Sequence, residues 1–206
     1  WLLHQHRQAY DMYDSPYGDL KETAFGRDVA SEIKRWDEAL LPNHRLSFSI
    51  STTVSERLRQ YNGLEAEPLY PPPAHPETYH CLKAEPFVLA PGRITPLKRQ
   101  KLVIEAMQHV PDGMKLVLIG PDEGGYAHEC RDFVAHQGLA DRVTFLGKVS
   151  EEEKIDLFAR CAIAYNGVYD EDYGYVTPEA FLSGKPVLAH VDGGGPLEFM
   201  HHGENG

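Results

Sequence analysis

The chain has 206 residues, 42% of them hydrophobic, and a formal net charge of −11, which together are typical of one large or two small globular domains. The acidic balance gives no electrostatic footprint for DNA or RNA, and no apolar run reaches the roughly 20 residues of a membrane-spanning helix. The three widely spaced cysteines favour a reducing, cytoplasmic environment over a disulfide scaffold.

The first part of the chain predicts the end of an α/β domain. In chain order we expect a strand end at 1–4, a long helix at 20–41, a strand at 46–50 and a short helix at 53–62. Phe25, Trp36 and Leu40 lie on one apolar stripe of the long helix. Because the chain starts on an apolar run without an initiator Met and stops at Gly206, we expect a fragment cut at both ends.

A stiff linker is predicted after this part. Tyr70 is followed by three consecutive prolines, which favour an extended polyproline conformation suited to joining two domains. We therefore predict that residues 1–80 contain the C-terminal part of one α/β domain with the linker, and that residues 81–206 form a second domain.

From residue 86 on, short apolar runs alternate with amphipathic segments, the pattern of a parallel α/β sheet. Strands are predicted at 86–90, 115–119, 143–146, 162–165 and 186–190. Helices are predicted at 98–110, at 127–137, from Ser150 with Glu153 completing a capping box, and from Thr177 as N-cap to Gly184. This alternation indicates a Rossmann-like domain.

The loop after the first of these strands combines a glycine with two cations, in the sequence Gly92-Arg93-Ile94-Thr95-Pro96-Leu97-Lys98. Ligands of open α/β sheets bind beyond the carboxyl ends of the strands, so Arg93 and Lys98 are predicted to project into that crevice. A guanidinium binds phosphate with two hydrogen bonds, and a glycine lets the backbone approach a ligand closely. The alternative is a surface Arg and Lys flanking a helix start.

Three glycines at 193–195 follow the last predicted strand and open a helix. Their unobstructed N–H groups suit an anion. The alternative is a flexible turn.

Two glutamates, Glu171 and Glu179, enclose seven residues after the fourth predicted strand. Glu179 falls within the first turn of a helix, where the helix dipole favours it in any case. Glu171 lies in a loop between two aspartates, where the alternatives are a solvated acidic loop and a divalent metal site.

Together these motifs resemble the donor half of the retaining GT-B glycosyltransferases of family four. The resemblance depends on Arg93 with Lys98, on the run from Glu171 to Val187, and on the turn Gly194-Gly195-Pro196-Leu197-Glu198, in this order. It is strong across residues 87–206, and the first 80 residues are similar to the end of that family's acceptor-side domain.

The resemblance implies a role for each motif. Arg93 and Lys98 bind the diphosphate of a nucleotide-sugar, and Glu179 binds the ribose hydroxyls. Glu171 lies against the donor sugar as a catalytic residue. Further donor contacts, with the loop at 147–149 facing the base, are implied for Gly92, Gly147, Val149, Gly174, Tyr175, Val176, Gly194 and Gly195.

These roles agree with elementary chemistry. A carboxylate accepts two hydrogen bonds from a cis-diol, which suits Glu179 to ribose. The leaving diphosphate develops negative charge, which Arg93 and Lys98 stabilise. A protein with these cations can dispense with a metal ion, so we expect no metal and no cofactor beyond the donor substrate.

A histidine that faces the donor sugar from a strand end is also implied by the resemblance. His4 ends the first apolar run and His6 lies two residues on, and we favour His4 as the second catalytic residue. The alternative is a structural histidine, hydrogen-bonded in the cleft.

The sequence therefore predicts a fragment of a retaining, metal-independent hexosyltransferase. Its donor is a UDP-, GDP- or ADP-sugar, its acceptor is a glycan, a lipid-linked or a small-molecule hydroxyl, and no nucleic acid is involved. We expect the protein in the cytoplasm. Any peripheral contact with a membrane surface is expected through regions outside this sequence. Two other functions stay open, a nucleotide-sugar epimerase of GT-B fold and a non-catalytic nucleotide-sugar-binding module.

Overall fold

The computed structural model of the protein describes residues 23–206. The predicted strand end at 1–4 and the first residues of the predicted long helix lie outside the described residues. The chain divides into two compact units, and the division falls between Tyr70 and Pro71, where the predicted linker begins.

In its described part, residues 23–70, the first unit contains one pair of short parallel strands. Its elements are α1 (Ala24–Leu40), β1 (Phe48–Ser49), α2 (Thr52–Arg57) and β2 (Glu67–Pro68), with β1 and β2 paired. Both helices begin at a hydroxyl N-cap. Thr23 accepts a hydrogen bond from the Gly26 N–H, and Ser51 accepts one from the Val54 N–H.

The apolar stripe of α1 is not buried in the way that the sequence pattern predicts. Phe25, Trp36 and Leu40 are exposed, and the buried residues of the helix are Gly26 and Ala30. Within residues 23–70 the strands β1 and β2 have 2 residues each, against 17 residues in the helix.

The second unit is built on a five-stranded parallel sheet, which confirms the predicted Rossmann-like fold class. The strands are β3 (Phe87–Pro91), β4 (Lys115–Ile119), β5 (Val143–Gly147), β6 (Ile163–Asn166) and β7 (Val187–Ala189). The helices are α3 (Gln100–Ala106), α4 (Tyr126–His136), α5 (Glu151–Arg160) and α6 (Val176–Leu182). Across the sheet the strand order is β5-β4-β3-β6-β7.

Apolar side chains cover both faces of this sheet, because successive residues of a strand point to opposite sides. In β3, Val88 and Ala90 belong to the core with α3 and α4, and Phe87 and Leu89 belong to the core with α5 and α6. A central strand buried on both faces is typical of a doubly wound sheet. None of the helices within residues 23–206 is long and apolar enough to span a membrane.

The starts of α3 and α5 can be compared with their predictions. Ser150 is the N-cap of α5 as predicted, since its side chain accepts a hydrogen bond from the Glu153 N–H at 3.1 Å. By contrast, α3 begins at Gln100 and not at residue 98, because Arg99 before it has a left-handed backbone with φ 53°.

The predicted cap of α6 is wrong. The helix begins at Val176 with Tyr175 as N-cap residue, so Thr177 already lies inside it. The Thr177 hydroxyl is buried and accepts a hydrogen bond from Asn166 Nδ2 at 3.2 Å. The Thr177 hydroxyl therefore bonds to Asn166 in the core and does not cap the helix in the way that the sequence pattern predicts.

Candidate functional site

The strand order places a switch point at the carboxyl ends of the strands of the sheet. From β3 the chain passes to β4 on one side, and it returns through β6 on the other side of β3. The loops after β3 and β6 therefore diverge at the carboxyl ends of neighbouring strands. Such a switch point is where parallel α/β sheets bind ligands.

Lys98 and Glu171 meet at this switch point. Lys98 lies in the short helical turn Pro96–Lys98 after β3, and its Nζ donates a hydrogen bond to Glu171 Oε2 in the loop after β6. Their side chains are 21% and 26% exposed. The structure thus joins the predicted diphosphate-binding cation to the predicted catalytic carboxylate.

The loop after β7 fixes the backbone of Glu171. The Glu171 N–H donates to the Gly193 carbonyl at 2.9 Å, and the Gly195 N–H donates to the Glu171 carbonyl at 2.8 Å. This approach requires glycines, because a Cβ at Gly194 would lie 2.5 Å from the Glu171 carbonyl oxygen, and one at Gly195 would lie 2.2 Å from that of Asp172. The Gly195 N–H, predicted to meet a phosphate, is engaged by the protein itself.

Gly174, Tyr175 and Val176 lie where the loop after β6 enters α6. Gly174 has φ 74°, and a Cβ there would lie 2.5 Å from Pro196 Cγ, so the glycine allows the two loops to touch. The Tyr175 ring is exposed and packs edge-on against Tyr173, with 5.1 Å between the ring centroids.

Arg93 lies in the loop after β3 and pairs with Glu123. Its NH1 donates to the Glu123 carboxylate at 2.7 Å, and its side chain is 61% exposed. The buried Gln100 amide donates to the Arg93 carbonyl at 2.8 Å. Gly92 touches the loop after β4, where a Cβ at Gly120 would lie 2.1 Å from the Gly92 carbonyl oxygen. The backbone of Arg93 is therefore fixed, and its guanidinium is held by a weak surface pair.

Glu179, on α6, receives two donors on one oxygen. Its Oε1 accepts a hydrogen bond from the Tyr79 O–H at 3.0 Å and one from Lys154 Nζ at 2.8 Å. Burial and the Glu179 carboxylate raise the pKa of Tyr79 to about 12. Burial alone lowers the pKa of Lys154, but its hydrogen bonds to Glu151 and Glu179 outweigh burial and raise it. Both donors therefore stay protonated near neutral pH.

Sequence reasoning misses the two partners of Glu179. Lys154 is one of several charged residues on an amphipathic helix, where exposure to solvent is the ordinary expectation. Tyr79 precedes β3 in the segment predicted as a linker. No local pattern marks either residue.

An ion pair between Arg99 and Asp192 is missed as well. The Arg99 guanidinium donates two parallel hydrogen bonds to the Asp192 carboxylate, both of 2.8 Å. These bonds hold the pKa of Asp192 below its ordinary value. The only sequence signal for this pair is that Asp192 directly precedes three glycines.

The other predicted residues lie apart from the Lys98–Glu171 pair or outside the described chain. Gly147 ends β5 with φ 72°, and Val149 packs against the core with α5 and α6. His4 lies outside the described residues. Within residues 23–206, no three His, Cys, Asp or Glu side chains are placed to hold a metal ion. Metal independence stays a prediction.

These features define the second unit as a Rossmann-like domain with a lysine–glutamate pair at the switch point of its sheet. The sequence profile of the glycosyl transferases group 1 family matches residues 78–206, and the chain belongs to this family. The resemblance found in the sequence is thereby confirmed at the level of the family.

Curated relatives include glycosyltransferases of mycobacteria. A D-inositol 3-phosphate glycosyltransferase of Mycobacteroides abscessus is 34% identical over 120 residues, which cover 56% of this chain and 27% of the relative. A GDP-mannose-dependent alpha-(1-6)-phosphatidylinositol monomannoside mannosyltransferase of Mycobacterium tuberculosis is 31% identical over 214 aligned residues, which cover 97% of this chain and 53% of the relative. The chain thus spans about half of the second relative's length, and less of the first.

Solved structures share the fold. Anabaena HepE, in complex with UDP and glucose, has a TM-score of 0.74 and 25% identity over 85% of this chain and 52% of HepE. Sucrose-phosphate synthase from Thermosynechococcus elongatus has a TM-score of 0.71 and 23% identity over 82% of this chain and 46% of that protein. Both similarities agree with the Rossmann-like class of the second unit.

Proposed function

We propose that this chain carries the donor-binding half of a retaining, metal-independent glycosyltransferase. The whole protein transfers a hexose from a nucleotide-diphosphate sugar to an acceptor hydroxyl, with the configuration at the anomeric carbon kept. The observation that carries the proposal is the Lys98–Glu171 pair at the switch point of the sheet.

The pair has the chemistry that this transfer needs. As the bond between sugar and diphosphate breaks, negative charge develops on the diphosphate, and an ammonium group already fixed in the crevice stabilises it. A diphosphate competes with Glu171 for Lys98, so donor binding separates the two side chains. The released Glu171 carboxylate then acts on the donor sugar, either as a nucleophile or by stabilising positive charge at the anomeric centre.

Glu179 supports recognition of the ribose. Its Oε1 is occupied by Tyr79 and Lys154, and within the described part of the chain its Oε2 has no hydrogen bond or ion pair. A carboxylate oxygen accepts hydrogen bonds from the hydroxyls of a cis-diol. In the proposed donor complex, Oε2 therefore binds the ribose while Oε1 keeps its two protein partners.

The names of the similar proteins support a sugar nucleotide as donor. HepE was solved with UDP and glucose and with UDP-glucose, and the relative of Mycobacterium tuberculosis is named as GDP-mannose-dependent. Their bases differ, so we propose what they share, a nucleoside diphosphate hexose. Retention and metal independence rest on the resemblance of the Arg93, Lys98 and Glu171 motifs. The acceptor class and the cytoplasmic location stay predictions.

The first test measures nucleotide binding to this chain by thermal shift with UDP, GDP and ADP. A ligand at about 100 times its Kd adds about 2.7 kcal/mol of stability, which raises the Tm of a chain of this size by about 5–10 °C. We expect one base to produce the shift and Arg93→Ala to reduce it. Arg35→Ala is the matched control, because Arg35 is a comparably exposed arginine paired with Glu32. The absence of any shift contradicts the proposal.

The second test separates chemistry from binding in the full-length protein. Glu171→Gln is expected to reduce transfer at least about 100-fold. Nucleotide affinity stays or rises, because Lys98 loses its competing carboxylate. Glu85→Gln is the control, since Glu85 also pairs with a cation, Arg160, but precedes β3 at the opposite edge of the sheet. Full turnover in Glu171→Gln contradicts its role, and binding without sugar release in the wild type indicates a binding module.

A further inference from the structure

Unfavourable backbone conformations flank the Lys98–Glu171 pair. Within residues 23–206, three residues other than glycine have a positive φ: His75, Arg99 and Asp170. Arg99 directly follows Lys98 with φ 53°, and Asp170 directly precedes Glu171 with φ 47°. A left-handed backbone is unfavourable for residues with a Cβ, so the surrounding structure must hold both in place.

Asp192, in the loop after β7, contacts both of these strained residues. Its carboxylate accepts two parallel hydrogen bonds from the Arg99 guanidinium, both of 2.8 Å. Its carbonyl accepts the Asp170 N–H at 2.8 Å. A bidentate arginine–carboxylate pair is among the stronger and more geometry-specific hydrogen-bonded contacts in proteins. Asp192 thus connects the residue after Lys98 to the residue before Glu171.

The neighbouring strands and loops enclose Arg99. Its side chain is 16% exposed, and the guanidinium carbon lies 5.1 Å from the centroid of the Tyr169 ring in the loop after β6. The Arg99 carbonyl accepts a hydrogen bond from the Tyr165 O–H at 3.3 Å, and that hydroxyl also contacts His190 Nε2 at 2.9 Å. Arg99 is therefore fixed through both its side chain and its backbone.

We propose that Arg99 and Asp192 are positioning residues. Their ion pair sets the spacing of Lys98 and Glu171, so that Lys98 binds the diphosphate while Glu171 contacts its sugar. This inference rests on the proposed function. Asp192 and Tyr169 engage the Arg99 guanidinium, so Lys98 is the neighbouring cation that meets the phosphate. Neither Arg99 nor Asp192 contacts the donor.

Three substitutions distinguish the contributions of the Arg99 backbone conformation, of the charges of the ion pair and of its two-bond geometry. Arg99→Gly removes the ion pair with Asp192 and also relieves the strained backbone, because glycine adopts positive φ readily. Arg99→Lys keeps the charge without the two-pronged geometry. Asp192→Asn keeps the shape and removes the charge. The matched control is His75→Gly, which replaces the third strained residue, in front of β3 and outside the Lys98–Glu171 pair.

The measurement compares the affinities of this protein for UDP, GDP and ADP with those for the corresponding monophosphates, by calorimetry. Arg99→Gly and Asp192→Asn are each expected to lower the diphosphate-to-monophosphate affinity ratio about tenfold, and the double variant to lose little more than either single variant. Arg99→Lys falls between these variants and the wild type. Millimolar guanidinium restores part of the ratio in Arg99→Gly, and His75→Gly keeps it.

A positioning role and a general structural role differ in their effect on the monophosphates. Equal losses of monophosphate and diphosphate affinity, with a lower Tm, indicate a structural role and overturn the inference. A wild-type preference for diphosphates that persists in Arg99→Gly and Asp192→Asn overturns the inference and leaves the proposed function intact. If the wild-type protein binds none of the three diphosphates, the proposed function fails and the inference fails with it.

Discussion

Two lysine–glutamate pairs of the second unit, Lys98–Glu171 and Lys154–Glu179, join different structural elements and are built in different ways. Lys98 and Glu171 come from two loops, 73 residues apart in the chain, whereas Lys154 and Glu179 come from α5 and α6, 25 residues apart. In the first pair Glu171 is 26% exposed, and in the second Glu179 is 12% exposed. The helix pair has a third partner in Tyr79, and the loop pair is supported through its backbone.

This difference indicates which pair changes partner when a ligand binds. Tyr79 bonds to Glu179 and Glu151 pairs with Lys154, so each member of the helix pair has a further partner that holds it in place. The loop pair faces the switch point, and the backbone bridge at Glu171 holds the loop even when its side chain leaves Lys98. We therefore expect the loop pair to open for the proposed donor and the helix pair to remain closed.

The largest expected effect separates the two lysines. In the full-length protein, Lys98→Met is expected to lower kcat on the order of 100- to 1000-fold, because the leaving diphosphate loses its countercharge. Lys154→Met is expected to raise KM about tenfold, because Glu179 loses one of its two hydrogen-bond donors. The change in kcat is expected to be much smaller, because Tyr79 still holds Glu179. Steady-state kinetics with a hexose derivative of the nucleotide identified by thermal shift measure both effects, and the Tm of each variant is recorded beside them. Equal losses of kcat would contradict the distinction between the pairs.

The close approach of the two loops makes a second prediction. Gly195→Ala places a Cβ 2.2 Å from the Asp172 carbonyl oxygen, so the loop must move, and we expect the free energy of unfolding to fall by about 2–3 kcal/mol. Gly113→Ala is the matched control, since its Cβ meets nothing within 4 Å, and it should change stability by no more than about 0.5 kcal/mol. Neither glycine has a positive φ, so urea unfolding of the two variants isolates the steric contact. Similar free energies of unfolding for Gly195→Ala and Gly113→Ala would show that the loop moves without cost and would contradict the prediction.

A smaller effect concerns the helix pair and the ribose. Tyr79→Phe removes one of the two donors on Glu179 Oε1, and the less restrained carboxylate should discriminate about fivefold less between UDP and 2′-deoxy-UDP. The same comparison applies to GDP or ADP if either is the nucleotide that binds. Tyr126→Phe is the control, because burial raises the pKa of Tyr126 to about 12 as well, but Tyr126 packs with the opposite core. Unchanged discrimination in Tyr79→Phe argues against Oε2 as the ribose acceptor.

The smallest effect is a pH dependence at the base of the loop after β7. Burial, helped by the Arg99 charge, lowers the pKa of His190, while Asp192 acts in the other direction. The unfolded chain therefore binds a proton that the folded protein resists, and His190 contributes a loss of stability as pH falls through the ordinary histidine range near 6.5. His190→Gln should flatten the decline in Tm between about pH 7.5 and 5.5 by about 1–2 °C. His128→Gln, an exposed histidine on α4, should leave the decline unchanged.

The regular part of the second unit could be predicted because burial on both faces leaves a clear pattern. The strand predicted at 115–119 is β4 (Lys115–Ile119), and the helix predicted at 127–137 is α4 (Tyr126–His136). Five-residue apolar runs bounded by turn residues have few alternatives in a parallel sheet. The apolar stripe of α1 follows the same rule, yet it is exposed, because periodicity indicates a face and not what covers it.

The candidate site could be predicted only where the chemistry is local. Lys98 and Glu171 each follow a strand, so their edge of the sheet was inferred, and the structure brings them into contact. The partners Lys154 and Tyr79 depend on contacts between distant elements that no spacing reveals. The left-handed backbone of Arg99 is equally hidden, since an arginine has no local preference for it.

The order of the strands also bears on how the proposed enzyme changes its preference for one sugar nucleotide over another. In the sheet, β4 and β3 stand between β5 and β6. In the proposed enzyme the loop at 147–149, after β5, meets the base, while the loop after β6 carries Glu171. A lineage can therefore alter the outer edge of the sheet without disturbing the groups that react. The same edge is the place to begin when the donor preference is to be redesigned.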